Sequence, residues 1–117
     1  MSLFKRRKPE NEYENAQKQM NKEPIEPAKD RIYFDEVTAD DSKTLMFVEK
    51  MRSNHPVVLN FAHVEVAVAN KVLAFLAGAT YVLKGKTIRI FDDVYMFALG
   101  EDFLDGTLDE WIKFIKG

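Results

Sequence analysis

The stretch Phe75-Leu-Ala-Gly-Ala-Thr-Tyr81 decides the fold, because it joins an apolar helical run to residues of β type. The preceding residues, 65–77, predict a helix that has hardly any polar face. Glycine commonly follows the last turn of a helix, and threonine, tyrosine and valine are favoured in strands. The sequence therefore predicts a helix that ends at Gly78 and a strand over residues 80–84.

Further elements extend from this junction in both directions. Strands are predicted over residues 32–34, 57–61, 87–91 and 94–99, and helices over residues 42–54 and 107–115. The close spacing of the last three strands favours an antiparallel meander. The resulting order β-α-β-α-β-β-β-α predicts an α/β (α+β) domain of two layers, with helices packed on one mixed sheet.

Length and composition set the scale of the molecule. The 117 residues, 46% of them hydrophobic, have room for one domain with one core. There is no cysteine, so the chain has neither disulfides nor thiolate chemistry. No apolar run approaches the roughly 20 residues that cross a bilayer, which favours a cytoplasmic or peripherally attached protein.

Charge divides the chain into a basic end and an acidic body. Residues 1–31 hold eight Lys/Arg and six Asp/Glu, a net charge of +2. Because the whole chain has a net charge of −2, the remaining residues carry a net −4. The segment 1–8 combines Leu3 and Phe4 with Lys5, Arg6, Arg7 and Lys8, a pattern suited to an anionic membrane surface. Residues 9–30 are polar and proline-rich, which predicts a linker, and residues 31–117 form the core domain. An acidic domain is poorly suited to nucleic acid.

The second helix predicts a surface for self-association. A helix with apolar residues nearly all round is normally covered on two sides, and a small domain cannot cover it alone. Small residues along this helix, among them Ala74, Ala77 and Gly78, allow a second backbone to approach closely. The residues therefore predict a homodimer.

No set of residues has the spacing of a catalytic or metal centre. His55 and His63 are the only histidines and are too isolated to predict a metal site. Lys84-Gly85-Lys86 has the pattern of a hairpin turn and lacks the strand-to-helix context of a phosphate loop. We expect no catalytic residue, no metal and no cofactor, and interpret the chain as a non-enzyme.

Several pieces of the sequence resemble the SepF family of cell-division proteins, in the same order and spacing. They are His55-Pro-Val-Val-Leu-Asn60, Ala69-Asn-Lys-Val-Leu-Ala-Phe-Leu-Ala-Gly-Ala-Thr-Tyr81, Ile88-Arg-Ile90, Val94-Tyr-Met-Phe97 and Gly106-Thr-Leu108. Together they cover about residues 31–112. The sequence departs from the family pattern at Tyr95, which replaces phenylalanine, at Phe91-Asp-Asp93, which replaces a glycine-richer turn, and at Leu99, which replaces proline.

The resemblance implies a dimeric core that binds the C-terminal peptide of FtsZ, and an N-terminal segment that contacts the membrane. Ala69 and Tyr95 match family positions implicated in the FtsZ contact, and Phe97 lies in the same apolar strand. Gly78 and its neighbours match the region used for self-association. Plain core packing is the alternative interpretation of Ala69, Tyr95 and Phe97. The implied location is the inner face of the cell membrane at the division site.

A second class of function stays open at this stage. Dimeric β-α-β domains often bind metabolites between subunits, so a small-molecule-sensing regulatory domain is the alternative to an adaptor. A deep polar pocket would favour the sensor, whereas a shallow apolar groove beside the last strand would favour the adaptor.

Overall fold

The structure, a computed structural model, describes residues 26–117, which form one mixed sheet with helices on both faces. The strands are β1 (Tyr33–Glu36), β2 (Val57–Asn60), β3 (Gly85–Phe91) and β4 (Val94–Leu99), and the α-helices are α1 (Asp41–Arg52), α2 (Val66–Val82) and α3 (Thr107–Lys116). Short 3₁₀ helices occupy Ala28–Arg31 and Gly100–Phe103. The predicted membrane segment 1–8 and most of the predicted linker lie outside the described residues.

The strand order in the sheet is β1-β2-β4-β3. β1 runs parallel to β2, with Tyr33 opposite Val57, and α1 forms the crossover between them. β4 is antiparallel to both β2 and β3. The prediction of an α+β fold with a mixed sheet is confirmed.

One face of the sheet packs against α1 and α2. Its core consists of buried side chains from both helices and from the two central strands, including Phe47, Met51, Leu59, Leu76 and Phe97. Alternate residues of a strand point to opposite faces, so the same two strands supply a second core on the other side.

The opposite face packs against α3. Val58, Ile90, Met96 and Ala98 of the sheet enclose Leu108, which has no exposed surface. Leu108, Ile112 and Ile115 lie on one side of α3, so the strongly amphipathic last helix is held by a single stripe. This helix adds a layer to the two that the sequence predicts.

The strand predicted over residues 80–84 is wrong, and so is the helix end at Gly78. α2 continues through Gly78 to Val82. Thr80, a residue of β type, is accommodated because its buried hydroxyl donates to the Leu76 carbonyl at 2.6 Å. Packing of this last turn against the core thus outweighs the local preference for a strand.

α2 ends where the chain must turn sharply into β3. Leu83 is the C-cap residue of α2, and Lys84 adopts the left-handed conformation with φ 63°. Gly85 follows because a Cβ atom there would lie 2.2 Å from the carbonyl oxygen of Ala98 on β4. The glycine that this junction requires is therefore Gly85, whereas a Cβ at Gly78 would have no neighbour within 4 Å.

Packed structure begins before Arg31, where the sequence places the start of the domain. Ala28 is fully buried, and its N–H donates to a carboxylate oxygen of Asp105 at 3.0 Å. The other oxygen of Asp105 accepts from the N–H of Thr107 at 2.9 Å, at the start of α3. Hydrogen bonds from the backbone of Thr107 and of Ala28 hold the pKa of Asp105 below its usual value. One carboxylate thereby joins the first described residues to the last helix.

Two glycine substitutions should change stability in opposite directions. Gly85→Ala should lower the free energy of unfolding by about 1–3 kcal/mol, because β4 must shift to admit the methyl group. Gly78→Ala should raise it, by up to about 1 kcal/mol, because alanine is the better helix former and meets nothing. Urea denaturation of the two variants measures both changes. Equal effects would contradict the assignment of Gly78 to the helix interior.

Candidate functional site

Tyr95 lies in the middle of β4, half-buried, on the face of the sheet that packs against α1 and α2. Phe61 contacts its ring edge-on, with centroids 5.4 Å apart. Phe97 stacks beside it at 6.4 Å. These contacts fix the orientation of the ring while part of it stays accessible. A rigid aromatic side chain of this kind has an apolar body and a polar hydroxyl for a partner to contact.

Phe97 belongs to the core. Its side chain is 1% exposed and packs against Phe61 as well as Tyr95. A partner on the surface can therefore reach Tyr95 and not Phe97. The structure gives Phe97 a supporting position behind Tyr95.

Ala69 lies in the first half of α2 and is half-buried against the same core cluster as Tyr95. Its N–H donates to the Glu65 carbonyl at the start of the helix, at 2.9 Å. Because the alanine side chain is small, the helix surface projects little at this point. Ala69 and Tyr95 thus pack on one cluster from a helix and from a strand.

Arg89 is a residue of this face that sequence reasoning did not select. It stands directly opposite Tyr95 in the β3–β4 ladder, and directly opposed residues point to the same face of a sheet. Its exposed guanidinium donates to the carbonyl oxygen of Asp92 at 3.3 Å and pairs with the exposed Asp92 carboxylate at 3.4 Å, a contact that a peptide carboxylate would have to replace. The alternation of Ile88 and Ile90, which face α3, was the signal that could have placed Arg89 on the Tyr95 side.

The outer side of α2 presents the second candidate surface. Ala74 and Gly78 are exposed and Ala77 is half-buried. Larger apolar side chains surround them on the surface: Phe75 is 47% exposed, Val82 76% and Tyr81 83%. We call these six residues the α2 outer face. Self-association through this face stays a prediction.

Shallow grooves run between α1 and α2 beside this face. One of about 340 Å³ is lined by Asp41, Thr44, Leu45, Lys71, Val72 and Phe75. Another is lined by Val48, Ala74, Gly78 and Val82 among others. Their walls are mostly apolar, and neither groove has the convergent charged groups of a metabolite pocket.

The two least accessible charged clusters of the described domain connect elements of the fold, although Oδ2 of the buried Asp102 has no hydrogen-bond partner there. Arg31 donates to a carboxylate oxygen of Asp102 at 3.1 Å and to the Asn54 carbonyl, which ties the first 3₁₀ helix to the second. Burial acts to raise the pKa of Asp35, but hydrogen bonds from Tyr33, the Glu36 N–H and Lys43 outweigh it and lower the pKa. Both clusters join neighbouring elements of the fold.

The described residues contain no group of three or more His, Cys, Asp or Glu side chains that could hold a metal ion. The Nδ1–H of His55 donates to the Arg31 carbonyl at 2.9 Å, and Nδ1 of His63 lies 3.2 Å from a carboxylate oxygen of Glu36. Among residues 26–117, no helix is long and apolar enough to cross a membrane.

The fold and these surfaces define a small α+β domain with a mixed four-stranded sheet, a half-buried tyrosine on β4 and an apolar outer helix face. The family model for cell division protein SepF matches residues 38–99, more than half of the chain. The chain belongs to the SepF family, so its role lies in cell division. Members of this family are not known as enzymes.

Individual relatives agree with the family model. The chain is 37% identical over 51 residues to a cell division protein SepF of Symbiobacterium thermophilum. The matched residues are 44% of this chain and 25% of that protein. It is 40% identical over 50 residues to a SepF homolog of Cyanophora paradoxa, 43% of this chain and 46% of that protein. It is 28% identical over 78 residues to SepF of Carboxydothermus hydrogenoformans, 67% of this chain and 52% of that protein. The matches thus span about half of those relatives' length or less.

Truncation of the two neighbouring aromatic residues should separate surface from core. Phe97→Ala should lower the free energy of unfolding by about 3–5 kcal/mol, the cost of emptying a buried phenylalanine site. Tyr95→Ala should cost clearly less, because part of the ring is already in contact with water. Chemical denaturation of both variants measures the difference. A larger loss for Tyr95→Ala would show that Tyr95 is the core residue of the pair.

Proposed function

We propose that this protein is a cell-division adaptor that binds the C-terminal peptide of FtsZ, pairs with itself and tethers FtsZ to the membrane at the division septum. The single observation that carries the proposal is Tyr95, a rigidly packed aromatic side chain that stays accessible on the sheet of a SepF-family domain. The sequence resemblance assigns the FtsZ contact to Tyr95 and Ala69, and both lie on one core cluster in the structure.

The proposed peptide site combines an aromatic and a cationic side chain. Arg89 adds an exposed guanidinium directly opposite Tyr95. An extended or helical peptide could place apolar side chains against Tyr95 and a carboxylate beside Arg89. The two described grooves lie between α1 and α2 and not beside β4, so the support for an adaptor over a metabolite sensor comes from Tyr95 and from the family.

Peptide binding should depend on Tyr95. Tyr95→Ala should weaken the affinity of the full chain for an FtsZ C-terminal peptide roughly tenfold or more, since truncating an aromatic anchor costs about 2 kcal/mol. Calorimetric titration measures the affinity, and circular dichroism checks that the variant is folded. Leu104→Ala, an exposed apolar residue outside the proposed site, is the control and should bind normally. Unchanged affinity in a folded Tyr95→Ala variant would rule out Tyr95 as the anchor.

Self-association should depend on the α2 outer face. Gly78→Lys should turn a dimer into a monomer, because the new side chain has space in the isolated domain but would enter the interface together with its charge. Light scattering at high micromolar concentration measures the mass. Leu104→Lys, an exposed position on the α3 side of the sheet, is the control and should leave the dimer intact. A monomeric wild-type protein would refute the proposed interface outright.

Membrane attachment should require residues 1–8. Each basic residue close to an anionic surface contributes roughly 1 kcal/mol, so Lys5–Lys8 should give weak and salt-sensitive binding. Several segments in one assembly would bind far better through effective concentration. We expect full-length protein to sediment with anionic liposomes, and this to be lost at high salt and on deletion of residues 1–8. Equal binding to neutral liposomes, or binding that survives the deletion, would contradict this mechanism.

A further inference from the structure

An exposed cluster of aromatic side chains lies on the α3 side of the sheet, away from Tyr95 and from the α2 outer face. Phe34 on the edge strand β1 is 58% exposed and its ring centroid is 5.9 Å from that of Trp111. Phe114, which follows Trp111 by three residues on α3, is 83% exposed. Residues three apart are neighbours on a helix surface. We call Phe34, Trp111 and Phe114 the aromatic patch.

Acidic side chains border this patch. Glu36 follows Phe34 by two residues, so it points to the same face of β1. Glu110 precedes Phe114 by four residues and lies beside it on α3. Both carboxylates are exposed; Glu36 contacts His63, and Lys113 follows Glu110 by three residues. Carboxylates at this edge disfavour direct contact with an anionic lipid surface and favour a basic partner.

The chain itself supplies such a partner next to the patch. The described residues start at Glu26 and pass into the 3₁₀ helix Ala28–Arg31, which is bonded to the beginning of α3. Ala28 donates to Asp105 at 3.0 Å, and the Lys29 N–H donates to the Thr107 hydroxyl at 3.1 Å. The first described residues therefore lie beside the helix that carries Trp111 and Phe114.

Length and chemistry fit the N-terminal segment to this surface. A helix of ten residues such as α3 is roughly 15 Å long, whereas an extended chain covers about 3.3 Å per residue, so the residues between Phe4 and Glu26 are ample to reach any part of it. Leu3 and Phe4 match the aromatic rings, and the four cations Lys5–Lys8 match the acidic border.

We infer that residues 1–8 dock on the aromatic patch of their own domain, and that an anionic lipid surface competes with the patch for them. This inference rests on the proposed membrane role of residues 1–8. Docked and lipid-bound segments exclude each other, because the same apolar and basic side chains serve both contacts. The apparent affinity for lipid is then reduced by the fraction of segments that are docked.

Phe114→Ser in the full-length protein tests the competition through the sign of its effect. The side chain is mostly exposed, so the variant should stay folded. We expect sedimentation with anionic liposomes to rise, by about twofold or more, because the released segment is free to bind lipid. A fall in sedimentation would show that the patch itself contacts lipid. Unchanged sedimentation would show that the patch does not bind residues 1–8. Either result would overturn the inference. Leu104→Ser, equally exposed but outside the patch, is the control and should bind as the wild type does.

Trp111 provides an independent readout, because it is the only tryptophan in the chain. In full-length protein without lipid, replacing Leu3 and Phe4 by serine should shift its emission to longer wavelength and increase its quenching by acrylamide. Replacing Tyr13 and Met20 by serine, outside residues 1–8, should change neither. Identical quenching in the Leu3/Phe4 variant and the wild type would overturn docking. Protection of Trp111 that disappears on dilution would place the segment on a second copy and overturn docking within one chain.

These measurements separate the inference from the function on which it rests. If residues 1–8 bind liposomes but the Leu3/Phe4 substitutions leave Trp111 emission and quenching unchanged, docking fails and the membrane proposal stands. If those substitutions change Trp111 emission and quenching but the full-length protein binds no anionic lipid, the membrane proposal fails and docking stands.

Discussion

The structure depends on the burial of β2 and β4 from both sides. Val57, Leu59 and Phe97 pack toward α1 and α2, while Val58 and Met96 pack toward α3. Because the sheet has only two central strands, every helix must cover them with its one apolar side. α1 and α3 have polar residues left for their outer sides. Of its polar residues, α2 has only Asn70 and Lys71 exposed there, and its outer face is therefore the part of the domain that a partner would most favourably cover.

The same arrangement sets the positions of the other surfaces. Close packing of β3 on β4 at Gly85 brings Arg89 opposite Tyr95, on the side of the α helices α1 and α2. Attachment of the first 3₁₀ helix to α3 through Asp105 holds the first described residues on the opposite side. In the proposed adaptor, peptide binding and self-association would then occur on one face and membrane attachment would start from the other. A tether between FtsZ and a bilayer needs such a separation.

The class of fold and the order of most elements could be predicted from the sequence, because they depend on local periodicity. The end of α2 could not, because Gly78 looks like a helix stop and Thr80, Tyr81 and Val82 look like a strand. Long-range contacts determine where α2 ends: a Cβ at Gly85 would collide with Ala98, and Thr80 is buried against the core. A glycine on an exposed helix surface gives no sign in the sequence that the helix continues past it.

The candidate site could be predicted in part for the same reason. Family resemblance selected Tyr95 and Phe97 together, but strand alternation and burial divide them into an accessible ring and a core ring only once β4 has neighbours on both sides. The alternation of Ile88 and Ile90 indicates the face of Arg89, but its place opposite Tyr95 depends on strand register, which sequence spacing does not fix near a bulge such as the one between Arg89 and Phe91. The aromatic patch likewise joins Phe34 and Trp111, which are far apart in the chain.

Chemical-shift mapping of the isotope-labelled full-length protein with an FtsZ C-terminal peptide tests the central claim most directly, since it reports every residue at once. The account predicts that the shifted amides cluster on β4 and β3 around Tyr95 and Arg89 and on α2 around Ala69, while α3 is unaffected. Shifts confined to α3 and β1, or no shifts at saturating peptide, would contradict the assignment of this face of the sheet to FtsZ.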